Sequence, residues 1–371
     1  QDTNLAEAMQ RIPGVTINRS NGEGNTITVR GLSGQYTRVL INGMETRAAV
    51  NGDTGRGFNF NMFASELFNK IVVNKTAAAE QTEGSLGSLV NMYTARAFDY
   101  QEGHTFLVAG QGIYNDLSED WAPRATALYA WHDPDGVWGA TFSLAYSEQE
   151  AMTATSNTVR WQKATFNSVL GVNCSDNPSD AGCAEVSDAF HARIPRYGTN
   201  EIHRERLGLT AGLQWAPSDR TEISLDAMYA DYDNTEDFKT IEVLFRGNER
   251  GMDVTGYTID PQPDRFGVGN DTLISMDVDN AWVRSETYHR DSENSFDQLS
   301  LQFRHEFSDA WSIDGLVGTS STEAHFPHAT TFMYDDRDYT GYSYDYSNSM
   351  LYPVLSFGGP DVTDGTNFTL T

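Results

Sequence analysis

The chain has 371 residues, with 25 Lys and Arg against 52 Asp and Glu, a formal net charge of −27. That balance repels polyanions and excludes nucleic acid as a partner. No run of about 18 apolar residues occurs, which leaves no transmembrane helix, and no signal peptide is visible.

The charge is unevenly placed. The first hundred residues hold nine basic and nine acidic residues, so the whole deficit lies in 101–371. Helical spacing begins almost at the first residue, which implies a mature N-terminus upstream. Asn4 can cap a helix with Glu7 three residues on. Leu5, Ala8, Met9 and Ile12 share one apolar face, and Pro13-Gly14 ends it. Val15–Ile17 and Thr26–Val29 read as strands joined by the turn-rich SNGEGN, and Arg38–Ile41 as a third. Residues 44–61 are polar and glycine-rich and read as a projecting loop. A short helix from Ser65 follows, then strands at Ile71–Val73 and Leu89–Thr94. No glycine-rich run here has the Lys-Ser/Thr of a phosphate cradle. Residues 1–100 therefore read as a small mixed α/β domain.

Beyond residue 103 the pattern changes to long strands of period two. Leu207, Leu209, Ala211, Leu213 and Trp215 alternate with Arg206, Gly208, Thr210, Gly212 and Gln214. Residues 138–146, 222–229 and 298–307 alternate in the same way. A soluble sandwich also alternates. Three features favour a membrane β-barrel: strands of about ten residues, connections short and long by turns, and aromatics sorted to the strand ends. Trp131, Trp138, Trp215, Phe307 and Trp311 lie beside the short turns, and Tyr114, Tyr146 and Tyr229 near the other ends. Seven strands are expected, at about 104–114, 124–132, 137–147, 204–216, 221–232, 296–308 and 311–320. A barrel that small is filled by its own side chains and cannot enclose a hundred-residue domain of radius about 13 Å. Either the first domain sits outside a small barrel, or the chain is a fragment of a wider one. Cys174 and Cys183 lie in a polar stretch within a long connection, where a disulfide suits an oxidising compartment.

The motifs Ile12-Pro13-Gly14-Val15, Val29-Arg30-Gly31-Leu32, Val39-Leu40-Ile41-Asn42-Gly43, Glu83–Asn91 and Ala97-Phe98-Asp99 stand in this order. Together they resemble the plug domain of TonB-dependent outer-membrane receptors. They are similar to the proteobacterial branch with large barrels, several of whose members import carbohydrates. Ser88 departs from that branch, which often has a second glycine there. The resemblance implies a plug domain at 1–100, with its N-terminal part and TonB box missing. At 101–371 it implies the first seven or eight strands of an antiparallel transmembrane β-barrel of 22 strands, with long extracellular loops. The implied location is the bacterial outer membrane, in contact with its lipid and lipopolysaccharide. The implied partners are TonB of the inner-membrane energising complex, a small-molecule substrate and, in some systems, an accessory lipoprotein. Arg30, Gly31, Asn42 and Gly43 would be structural residues of the plug, with Arg30 in a strand and facing the interior network or barrel wall.

Loop 44–61 would then carry Arg47, Asn51, Asp53 and Arg56 into a substrate cavity. Tyr339, Tyr342 and Tyr344, within a run of tyrosines and aspartates, offer an apolar face with a polar tip and suit a neutral sugar; Trp161 is a similar candidate. The same tyrosines read equally as part of an interfacial girdle. His325 and His328 in HFPH lack a third fixed ligand, so no metal and no cofactor is expected. No nucleophile motif or matched carboxylate pair appears. The chain is expected not to be an enzyme but an importer of an oligosaccharide. The alternatives are import of a ferric siderophore or haem, or a passive porin or adhesin.

Overall fold

In the computed structural model of the protein, the described residues are 4–371 except 21, 49–56, 77, 80, 82, 248 and 263–268. They divide into two compact units. One comprises residues up to 151 together with 202–235 and 290–328; the other comprises 152–201, 236–289 and 329–371.

The first unit begins with a capped helix. The Asn4 side-chain oxygen accepts from the backbone N–H groups of Ala6 and Glu7 and starts α1 (Leu5–Gln10). Strands β1 (Val15–Ser20) and β2 (Glu23–Val29) pair antiparallel, Val15 opposite Val29, with a bulge at Asn18/Arg19. A separate sheet holds β3 (Thr37–Ile41), β4 (Met44–Thr46), β5 (Phe68–Asn74) and β6 (Ser88–Thr94) in the order β4-β3-β6-β5. β3 and β6 are parallel, and the chain between them supplies the crossover. Leu5, Met9, Ile27, Ile41, Phe60, Met62, Val90 and Met92 are buried together as the core.

Two expectations change here. Residues 44–46 form β4, not the start of a loop. Asn42 and Gly43 have φ of 50° and 82° and make the tight turn of a β3–β4 hairpin, the geometry that favours Asn-Gly. Arg30 lies beyond the end of β2, at φ 54° and exposed, in a turn with Gly31 at φ 80°. Its backbone N–H donates to Gly14 O at 2.9 Å. The reversal after Val29 turns its side chain away from the interior expected for it.

The wall begins with β7 (Gly103–Asn115), β8 (Asp120–His132) and β9 (Trp138–Asn157). It continues through the strands Arg196–Ser218, Thr221–Val243, Ala281–Ser308, Trp311–His325 and Ala329–Tyr339. These join a nine-stranded sheet that does not close among the described residues. Several strands run to 20–28 residues, about twice the expected length. The Ala281–Ser308 strand has two successive neighbours, Trp311–His325 and Ala329–Tyr339, which are separated by a break at residues 326–328. The β7–β8 connection is a turn of residues 116–119.

The alternation is inverted relative to a soluble sandwich. Arg204, Arg206, Thr210, Gln214, Ser224, Asp226, Gln298 and Ser300 are buried. Leu213, Trp215, Leu225, Tyr229, Leu299, Leu301 and Phe303, from the opposite face of the same strands, are exposed. At the short-turn side Trp138 and Trp215 stack at 5.5 Å. Trp311 is also exposed. Apolar residues outward and polar residues inward is the pattern of a wall facing lipid.

The second unit was expected to be loops. It contains a six-stranded sheet built from Ser168–Val169, Val172–Asn173, Asp253–Asp260, Thr272–Asp279, Tyr342–Asp345 and Val354–Phe357. It also has the helix α2 (Ala181–Asp188), capped by Asp180. Cys174 and Cys183 are disulfide-bonded and buried in a core with Val186, Phe245, Val254, Met276 and Tyr342.

Candidate functional site

The chemistry of the first unit concentrates where the N-terminal domain meets the inner face of the wall. Glu23, at the head of β2, is buried between two wall arginines. Its Oε2 accepts from Arg206 Nη2 at 2.5 Å and from Arg204 Nη1 at 2.9 Å. Asn4, the helix cap, donates to Glu23 Oε1 at 3.1 Å and to Asn61 Oδ1 at 2.9 Å. Arg206 also donates to Asn61 O at 2.6 Å, and its guanidinium lies 5.0 Å from the Tyr232 ring. Burial alone would raise the Glu23 carboxyl pKa. Arg206 and Arg204, with the Asn4 hydrogen bond, outweigh it and hold the group below its ordinary 4.5.

A second node forms around Arg96, just after β6. Its guanidinium donates to Ser224 Oγ at 2.5 Å, Asp226 Oδ2 at 2.9 Å and Gln302 Oε1 at 3.0 Å. A third joins Glu66 to Arg124 of β8, at 2.5 and 2.6 Å. Wall side chains also grip backbone. Gln298 donates to Ile41 O at 3.1 Å, Gln302 donates to Asn42 O, and Thr322 donates to Arg47 O at 2.6 Å. The Asn42 amide in turn donates to Thr94 Oγ1 at 2.9 Å, which ties the hairpin turn to β6.

Glycines in the wall set the close approach. A Cβ at Gly139 would fall 2.6 Å from Ala97 Cβ, and one at Gly208 2.4 Å from Leu67 Cδ1. Glycine is required because the domain occupies the space of a side chain.

The other sequence candidates scatter. Arg47 borders a cavity of about 130 Å³ with Gln35, Arg38, Glu45 and Gly84. Asn51, Asp53 and Arg56 lie outside the described residues. Tyr339, Tyr342 and Tyr344 turn their rings into the core of the second unit, each at most 1% exposed. The Tyr339 hydroxyl donates to Pro360 O at 2.8 Å and that of Tyr344 to Leu273 O at 3.1 Å. Burial raises the Tyr342 and Tyr344 hydroxyl pKa values well above 10. Trp161 is half-buried, edge-on to Tyr346 at 5.1 Å. His325 ends the Trp311–His325 strand and His328 lies within the break that follows, 3.3 Å from Asp291. Among the described residues no three His, Cys, Asp or Glu side chains gather to hold a metal. Sequence reasoning passed over Glu23, Arg204, Arg206 and Arg96. The available signal was two arginines at i and i+2 on the polar face of an otherwise lipid-type strand.

Residues 1–89 match the family described as TonB-dependent Receptor Plug Domain. These residues form a receptor plug. The plug and the inverted wall together support a TonB-dependent receptor, and the chain is an outer-membrane protein. It is 23% identical over 186 residues to the vitamin B12 transporter BtuB of Vibrio vulnificus, covering 43% of this chain and 30% of that protein. Among solved structures it is similar to the siderophore receptor PirA from Acinetobacter baumannii, at 13% identity and TM-score 0.38, over 93% of this chain and 57% of that one. It is also similar to the alcaligin receptor FauA from Bordetella pertussis, at 10% identity and TM-score 0.33, over 93% and 57%. The chain thus spans about a third of the curated relative's length. The carbohydrate branch has no counterpart among these relatives.

Proposed function

We propose that the plug and wall belong to a receptor that binds a scarce solute outside the cell and imports it with energy delivered by TonB. The observation that carries this is the seating of the plug: a charged, hydrogen-bonded body on the inner face of the wall obstructs passive flow. Passage then requires work on the plug, which separates an energised importer from a porin. The binding surface in this reading is the plug apex, with Arg47 and the loop carrying Asn51, Asp53 and Arg56. Trp161, in the second unit, is a further candidate contact.

The proposed cargo is an oligosaccharide, a reading that rests on the motif resemblance and gains nothing from the buried tyrosines. A metal chelate is the second reading, ferric siderophore, haem or corrinoid, and the vitamin B12 transporter among the relatives favours it. Calorimetry of the purified full-length receptor against neutral oligosaccharides and against ferric siderophores, haem and cobalamin separates the two. Uptake of the bound solute by cells with and without TonB tests the energised mechanism. Equal uptake in both would overturn it.

A further inference from the structure

Residues 189–195, AFHARIP, cross the second unit as a short strap. Phe190 N donates to Asp271 O at 2.7 Å, and Leu273 N donates to Phe190 O at 2.8 Å, which joins the strap to the Thr272–Asp279 strand. His191–Ala192 pairs antiparallel with Trp161–Gln162. Arg193 N donates to Arg160 O at 2.9 Å, and Phe245 N donates to Arg193 O at 2.9 Å. One segment thus ties three others together. Its buried side chains are Ala189, His191, Ala192 and Ile194, and of these His191 alone can take up a proton.

His191 is 0% exposed. Its Nε2 lies 3.1 Å from Phe245 O. A carbonyl only accepts, so Nε2 carries the hydrogen of the neutral ring and Nδ1 presents a bare lone pair. Among the described residues Nδ1 has no hydrogen-bond partner. Phe245 O also accepts from Gln162 Nε2 at 2.8 Å, so one carbonyl holds both sides of the strand pair. The Phe166 ring packs against the imidazole at 5.0 Å.

Few charges reach the ring. Glu249 acts on it, but that carboxylate is held by Arg246 Nε at 2.6 Å and by the N–H groups of Arg246 and Gly247. Lys163 lies over the neighbouring Phe190 ring at 5.2 Å. Asp271, Arg160 and Arg193 meet the strap through their backbone. Burial outweighs the pull of the Phe245 and Ala189 carbonyls and of Glu249, and holds the His191 pKa below its ordinary 6.5.

We propose that His191 is a positioning residue for the Trp161–Gln162 strand and an acid-responsive latch: a proton taken from solvent at Nδ1 opens the strap and releases Trp161. Above pH 6.5 the ring is neutral in the closed and opened segment alike, and the latch is intact. As pH falls below 6.5 the opened segment takes up the proton first, so closure weakens until the closed ring is charged as well. An effect on solute binding rests on the receptor reading, through Trp161; the latch itself does not.

The test is hydrogen exchange of the full-length receptor in detergent micelles, corrected for intrinsic rates, at pH 7.5 and 5.0. Protection of segments 160–163 and 190–194 should fall at least threefold. The ceiling is about thirtyfold, the factor by which a group of ordinary pKa 6.5 favours opening at pH 5.0 when only the opened state binds the proton. β6 of the plug should change less than twofold. His191→Gln retains a donor for Phe245 O but cannot titrate, so its two segments should also change less than twofold. A wild-type fall under threefold, an equal fall in β6, or a Gln variant that loses protection as the wild type does would overturn the proposal. Should that variant not fold, carbon-13 NMR of wild-type receptor labelled at histidine Cε1 decides. One of the eight imidazoles should titrate below 6.5 and below the rest, and eight midpoints at or above 6.5 would overturn the latch. No outcome depends on the cargo, so failure of the importer reading would show separately, in the TonB uptake comparison.

Discussion

Replacing Glu23 with Gln keeps the shape of the side chain and its hydrogen bond from Asn4 but removes the charge that two buried arginines share. Arg204 and Arg206 are 3% and 6% exposed, and both donate to the same carboxylate oxygen. Breaking a buried pair from one side costs about 3–5 kcal/mol, because the other charge stays buried. Arg204 retains Asn234, and Arg206 retains Asn61 O and the Tyr232 ring, so the low end, about 3 kcal/mol, is expected. At 1.4 kcal/mol per decade that is roughly a 100-fold loss of protection. Native-state hydrogen exchange on the full-length receptor should show it in α1 and the β1–β2 hairpin, with β3 and β6 much less affected. The folded Glu23 pKa lies below 4.5. Its stabilisation is therefore complete above the unfolded value and fades as pH falls through the folded one. The Gln variant should lose that component of acid sensitivity. A change in α1 protection below about threefold would refute the reasoning, since no desolvated charge of this kind is that cheap.

Gly139→Ala should displace the Ala97–Asp99 turn at a cost of about 1–3 kcal/mol, measured by thermal unfolding. Adding Ala97→Gly should recover most of it, because the Cβ at 2.6 Å is then gone. Removing the Cys174–Cys183 bond with Cys174→Ser and Cys183→Ser should cost the second unit about 2.5 kcal/mol by loop entropy for a separation of nine residues. Reductant should reproduce the shift in the wild type and leave the double variant unmoved. Tyr342 and Tyr344, whose hydroxyls are buried, should stay protonated above pH 10 until the second unit opens. Absorbance at alkaline pH should then rise cooperatively with unfolding, because a raised folded pKa removes stability as pH climbs past the unfolded value.

The sequence was legible where two media impose a contrast. Leu213 and Trp215 against Thr210 and Gln214 announce a wall with lipid on one side, and Asn4 with Glu7 announces a capped helix. Past the apolar belt the contrast fades. In ADYDNTEDFKTIEV, residues 230–243, both faces are polar, so the strand continues without a pattern to mark it. The second unit hid for another reason: its strands are mostly two to eight residues long and pair across distant segments. The tyrosine run suggested an open binding surface because composition cannot distinguish a sugar platform from a core that buries the same rings, with the Tyr339 and Tyr344 hydroxyls on backbone carbonyls. The seat was hidden by distance: Glu23 and Arg206 are 183 residues apart.

The two sheets of the plug would respond differently to tension. A pull on the N-terminal end enters the β1–β2 pair at Val15, which faces the exit at Val29. Such a hairpin peels one rung at a time. β3 and β6 run parallel, so tension between the start of one and the end of the other loads all their bonds in shear at once. The plug is therefore a weak link in series with a strong one. Force spectroscopy from the N-terminal end should record an early yield of about thirty residues before any larger rupture. A single all-or-none rupture would contradict this order.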